Sequence, residues 1–182
     1  QTHLIAQPEF QIQVSSSETR LKARVAYSAY GAPLRSVRVK REGWLFAHFD
    51  DESGIDSANI YDDPETGETI LPLKKPVEGE FVLVWESVRD LDGAERNNVN
   101  FGLPEIVAEW IASPILAVVP DDNIELLPLT GGIRGLTERK QLQARLAIGL
   151  PQREQPPLLY QIQKEGMPEG EKPHFSARYI VH

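Results

Sequence analysis

The chain has 182 residues, with 19 Lys and Arg against 27 Asp and Glu, a formal net charge of −8. That acidic balance argues against a general nucleic-acid binder, which needs a net basic face to release counterions. There is no Cys, which excludes disulfides, thiolate nucleophiles, zinc–cysteine sites and iron–sulfur clusters, and the length suffices to bury a core without them.

Alternation is the dominant signal. Phe10, Ile12 and Val14 oppose Gln11 and Gln13, the pattern of a half-buried strand. Ser15-Ser16-Ser17 connects it to a second run, in which Leu21, Ala23, Val25 and Tyr27 alternate with Lys22, Arg24 and Ala26. Gly31-Ala32-Pro33 reads as a turn. Val37 and Val39 then alternate with Arg38 and Lys40, and Arg41-Glu42-Gly43 reads as a bulge or tight turn. Beyond it Trp44, Phe46 and His48 share one face and Leu45, Ala47 and Phe49 the other.

Asn59 to Leu73 has the chemistry of a hairpin, because Pro64 fixes φ and Gly67 supplies a positive one. Glu80 to Arg89 is a further strand, and its near-continuous apolar middle predicts a central strand covered on both faces. A short helix is expected over 104–112: Pro104 suits the first helical position, and Ile106, Val107, Trp110 and Ile111 make an apolar stripe. The period then returns to two at Ile115 to Val119, Ile124 to Leu129, Leu142 to Ile148, Leu158 to Ile162 and Phe175 to Val181. A second hairpin is expected over 166–173. Leu21–Ala26 and Leu142–Ala147 are alike enough to suggest two stacked β-modules of one kind.

The alternating strand, Gly-x-Pro turn and second alternating strand ending in Glu-Gly, from Leu21 to Gly43, resemble the early strands of immunoglobulin-like modules. Together with the strand count, the resemblance implies an all-β fold, an immunoglobulin-like antiparallel β-sandwich with one short helix. The expected division is a first module over 8–102. Residues 103–182 then form the helix and either a second, smaller β-module or a continuation of the same sheet.

Two acidic loops could hold Ca²⁺, which takes oxygen ligands in irregular geometry. One is Asp50 to Asp56. The other runs from Asp90 to Asn98, with Asp90, Asp92 and Asn97 as its ligands. Asp, Asn and Gly are also the standard turn formers, and the EF-hand spacing is absent, so a solvated turn is the simpler reading of each. No other cofactor is suggested. His48 and Asp50 fall on one predicted strand face, and His174 would complete a metal set if the two halves meet. A lone His near a strand end, hydrogen-bonded or solvent-facing, is the simpler reading of His48, because no His-x-x-x-His or Glu-x-x-His spacing supports a metal site. No Gly-x-Ser-x-Gly elbow occurs, and Gly131-Gly132-Ile133-Arg134-Gly135 lacks the Lys-Ser/Thr pair of a phosphate loop, so it reads as a loop.

Basic residues concentrate between Arg20 and Arg41 and acidic ones between Asp50 and Glu68, which suits a contact with a protein partner or self-association between copies. Trp44, Trp85 and Trp110 all fall on predicted apolar faces and are read as core. No apolar run reaches membrane-spanning length. The start at Gln1, without Met, fits a mature form or a piece of a longer chain, and an extracytoplasmic or secreted origin is expected. The leading expectation is a non-enzymatic interaction or structural module in a secreted or surface-associated assembly. A metal-dependent hydrolase using His48, Asp50 and His174 comes second. A small-ligand β-barrel lined by the three tryptophans comes third.

Overall fold

The computed structural model describes residues 1–91, 97–112, 114–139, 155–164 and 166–182, the side chain of Asp51 apart. The described chain is all-β. In order, the strands are β1 (His3–Val14), β2 (Glu18–Lys40), β3 (Leu45–Phe49), β4 (Tyr61–Asp62), β5 (Thr69–Asp90), β6 (Asn98–Gly102) and β7 (Glu105–Val107). They continue with β8 (Trp110–Ile111), β9 (Ile115–Pro120), β10 (Ile124–Pro128), β11 (Leu136–Glu138), β12 (Leu158–Ile162) and β13 (His174–Val181). Helix is confined to two 3-10 turns, Asp51–Ser53 and Ser57–Asn59, among the described residues. None of their helices is long and apolar enough to cross a membrane.

Contacts divide the chain into two units, and neither is a single run of sequence. Unit 1 holds Gln1–Glu9, Lys22–Ser87 and Pro104–Pro114; unit 2 holds Phe10–Leu21, Val88–Leu103 and Ile115–His182. The long strands β1, β2 and β5 each give residues to both.

In unit 1 the sheet order is β1, β2, β5, β3, with β8 on β1, β7 on β2 and β4 on β5. Alternation decides the core: Ala23, Val25, Tyr27, Ala29, Val37 and Val39 of β2 are buried, as are Leu83 and Trp85 of β5. Full burial of such side chains contributes about 1.5–3 kcal/mol each. Trp44 enters the core after a tight turn in which its N–H bonds the Arg41 carbonyl at 3.1 Å, with Glu42 and Gly43 both at positive φ (53° and 89°). The predicted hairpin after Tyr61 is present, with β4 antiparallel to the start of β5.

Unit 2 contains two sheets. One has the order β11-β12-β9 beside the later half of β1, and the other has the order β10-β13-β6. Within the second sheet Phe175 of β13 stacks on its register partner Phe101 of β6 at 5.0 Å, and across to the first it makes an edge contact with Tyr160 of β12 at 5.9 Å. Leu116 to Val119 are all fully buried, so the unbroken apolar run is a strand covered on both faces. The serine run makes the β1–β2 connection, with Ser15 Oγ accepting from the N–H groups of Ser17 and Glu18. At Leu126 the Gln155 carboxamide both donates and accepts at 2.8 Å, standing in for a strand partner.

Four expectations need correction. No helix forms over 104–112; the segment makes β7, antiparallel to Arg38–Lys40, and β8, parallel to Ile5–Ala6. The nine residues between Pro104 and Pro114 give about two and a half turns, too few to offset nucleation, and Ile106, Val107 and Ile111 are β-branched. Gly31-Ala32-Pro33 does not turn the chain: β2 continues through it with a kink at Gly31 (φ 97°), where a Cβ would lie 2.5 Å from the Gln1 carbonyl oxygen. The turn that carries the immunoglobulin-like resemblance is thus a bend within one strand. The β5 run is central, between β2 and β3, but not covered on both faces, since Val82 is 38% exposed beside buried Leu83. Trp110, read as core, is 66% exposed. The strand expected over Leu142 to Ile148, and with it the second half of the suggested repeat, lies outside the described residues.

Candidate functional site

The exposed large apolar side chains of unit 1 are Tyr30, Leu45, Tyr61, Val82 and Trp110 among the described residues, and backbone register brings Trp110 and Tyr30 to one face. Ile5 and Trp110 are paired in the parallel β1–β8 ladder, so their side chains leave the same face of the sheet. His3 lies two residues before Ile5 in the same strand and shares that face. Its imidazole stacks on the Tyr30 ring, centroids 5.4 Å apart and planes inclined by 26°. The opposite face, reached by Ala6 and Pro8, is buried. Three strands thus present Tyr30, His3, Ile5 and Trp110 as one strip, with Trp110 66% and Tyr30 51% exposed. Glu109 borders the strip, its carboxylate 3.0 Å from His3 Nδ1.

Hiding one such ring against a partner removes on the order of 100 Å² of apolar surface from water, worth about 2–3 kcal/mol before other costs. An exposed aromatic cluster with a polar rim is the composition of a contact surface.

Of the other predicted site residues, two carboxylates of the first acidic loop have local partners. Asp50 caps a 3-10 turn, Oδ1 accepting from Glu52 N–H at 3.1 Å, and Asn59 Nδ2 donates to Asp56 Oδ2 at 2.7 Å, so the first acidic loop is two successive turns closed by its own carboxylates. His48 is exposed near the end of β3. His48 and Asp50 belong to unit 1 and His174 to unit 2. Asp90 is exposed at the end of β5, and the carbonyl of Asn97 accepts from Tyr179 N–H at 2.6 Å. Asp92 lies outside the described residues. Among the described residues no three His, Asp or Glu side chains are grouped to hold a metal ion. Trp44 and Trp85 are each 1% exposed, so they fill a core and do not line a ligand cavity with Trp110.

The charge asymmetry between residues 20 and 68 is partly satisfied inside unit 1. Arg38 reaches Asp63 at 3.3 Å and Glu68 at 3.4 Å, and Arg41 reaches Asp62 at 2.9 Å while its guanidinium lies 5.9 Å from the Phe46 ring. Such solvent-screened pairs stabilise little. The Asp63 carboxyl is nevertheless held below the usual carboxylate range. The backbone N–H of Glu65 contributes most, at 3.0 Å, followed by Arg38 and Thr66, and together they outweigh partial burial. A depressed folded pKa adds stability above the unfolded value, about 3.9, that is lost as pH falls through the folded value. Asp63→Asn is therefore expected to lower the melting temperature at neutral pH, with the gap to wild type closing below about pH 4. Melts across that range check this; a gap independent of pH would contradict it.

No protein-family model matches the chain, and no curated protein matches it.

Proposed function

We propose that this chain is a non-enzymatic interaction module that associates with a second copy of itself through the aromatic strip of unit 1. The observation that carries the reading is the joint exposure of Trp110 and Tyr30 on one sheet face. Two further features support it. Arg38 and Arg41 already have acidic partners in their own unit, so these charges have less to gain from a neighbour than the apolar strip has. The strip also carries a hydrogen-bonding imidazole and a carboxylate side by side, His3 and Glu109. That suits a two-fold contact, in which the same patch meets itself and His3 of one copy can face Glu109 of the other.

Sedimentation velocity over a range of concentrations tests the reading. Wild type is expected to show a monomer–dimer equilibrium. Trp110→Ser, which changes an exposed side chain, is expected to weaken it by about 30-fold, the equivalent of roughly 2 kcal/mol, with the folded spectrum unchanged. A chain that stays monomeric throughout, or a dimer indifferent to both Trp110→Ser and Tyr30→Ser, would overturn it.

A further inference from the structure

Unit 2 contains a pocket of about 280 Å³. Its position follows from the glycine-rich loop and the approach to β13. After β10 the chain makes a turn closed by Gly132 N–H on the Leu129 carbonyl at 2.9 Å. Arg134 and His174 then form an isolated bridge, exchanging two backbone hydrogen bonds of 2.9 Å each. This brings Arg134 from one segment, and Lys172 and His174 from the other, to the wall of the same cavity.

In a chain of net charge −8, counted with His neutral, the charged residues of this wall are Arg134 and Lys172 against Glu171, and the His174 imidazole stands beside them as a hydrogen-bonding group. Arg134 is only loosely engaged by Glu171, at 3.4 Å, and its side chain is 58% exposed. A guanidinium carries five N–H donors, so the contact with Glu171 does not exhaust what Arg134 can offer a small oxyanion.

The glycines separate what the fold needs from what it does not. A Cβ on Gly132 would lie 2.4 Å from Ser176 Cβ, so the loop can lie on β13 only with glycine there. Gly135 has a φ of 65°, and a Cβ there would meet Met167 Sδ at 2.5 Å. Both are fixed by packing. Gly131 is not: its φ is not in the left-handed region, and a Cβ there meets nothing within 4 Å. Yet it lines the pocket. Substitution at this position therefore alters the pocket lining at a point where the added Cβ itself meets no packed atom.

We infer that this pocket binds a small anionic ligand, a phosphate or carboxylate group held between Arg134, Lys172 and His174. The volume lies near the lower limit for small-molecule sites, which restricts the occupant to something of few heavy atoms. Charge-assisted hydrogen bonds from a planar guanidinium and an ammonium are the standard means of holding such groups.

The test is a titration of the full chain, ¹⁵N-labelled, with inorganic phosphate in one arm and succinate in the other, at ionic strength held constant with chloride. Saturable amide shifts confined to the segments around Gly131–Arg134 and Lys172–Ser176 are expected in at least one arm. The responding arm identifies which oxyanion the pocket prefers. Lys172→Gln is expected to weaken binding about tenfold. Gly131→Phe is expected to abolish it with the melting temperature retained. Absence of saturable shifts in both arms would overturn the proposal, as would binding that Lys172→Gln and Gly131→Phe leave unchanged.

Discussion

Phe175→Ala is expected to destabilise the protein by about 3–5 kcal/mol, the largest loss of any change considered. Phe175 is fully buried in unit 2, stacked on Phe101 and edge-on to Tyr160, so the ring joins the two sheets of that unit. Truncation removes the transfer free energy of the ring and leaves a cavity that two strand backbones cannot collapse to fill. It also forfeits two aromatic contacts, each worth about 0.5–1.5 kcal/mol beyond area. Urea unfolding of wild type, Phe175→Ala and Phe175→Leu is the measurement, with the leucine variant falling between. A loss below about 1 kcal/mol for the alanine variant would mean that this ring does not hold the sheets together.

Tyr27→Phe is expected to act in the opposite sense, stabilising unit 1 by about 1–2 kcal/mol. The Tyr27 ring is 2% exposed and stacks on Phe81 at 5.2 Å, which a phenylalanine would reproduce. Its hydroxyl is buried with no protein hydrogen-bond partner among the described residues. A buried hydroxyl without a partner keeps its full desolvation penalty, and deleting it removes that penalty with no loss of packing. The same burial pushes the phenol well above its ordinary pKa. A raised folded pKa means stability present below the unfolded value, about 10, and lost as pH rises past it. Wild type should therefore lose stability in alkali through this group, and Tyr27→Phe should not. Thermal melts at neutral and alkaline pH check both parts. A lower melting temperature in Tyr27→Phe at neutral pH would show that the hydroxyl makes a favourable bond.

Much of the fold was legible because burial on one face imposes a period of two. Phe10, Ile12 and Val14 are buried against Gln11 and Gln13, and β12 spans the residues that alternation marks, Leu158 to Ile162. Proline and glycine were less reliable guides. Gly31 and Pro33 have the composition of a turn, but a twisted strand can bend at a glycine without reversing, and long-range pairing decides between the two. The 104–112 segment shows how one misread period hides a site. On a helix, Trp110 shares a stripe with Ile106 and Ile111; on a strand, Trp110 and Ile111 point to opposite faces, and Trp110 goes to solvent. Its register to Ile5 is a contact across more than a hundred residues, which no local pattern encodes. The stacking of His3 on Tyr30 is equally non-local. The pocket of unit 2 was half visible: the sequence isolates the glycine run, but Lys172 and His174 reach it only through the pairing of Arg134 with His174.

Of the three tryptophans, Trp44 and Trp85 are buried and Trp110 alone is exposed, so quenching by neutral acrylamide reports on the proposed contact ring itself. The decisive measurement is the accessible fraction of tryptophan emission as the chain is concentrated. Association through the strip predicts an exposed component in dilute solution that becomes protected as dimer forms, and that is missing at every concentration in Trp110→Ser. A component equally accessible at all concentrations, in samples that sedimentation shows to be dimeric, would place the contact elsewhere and contradict the account.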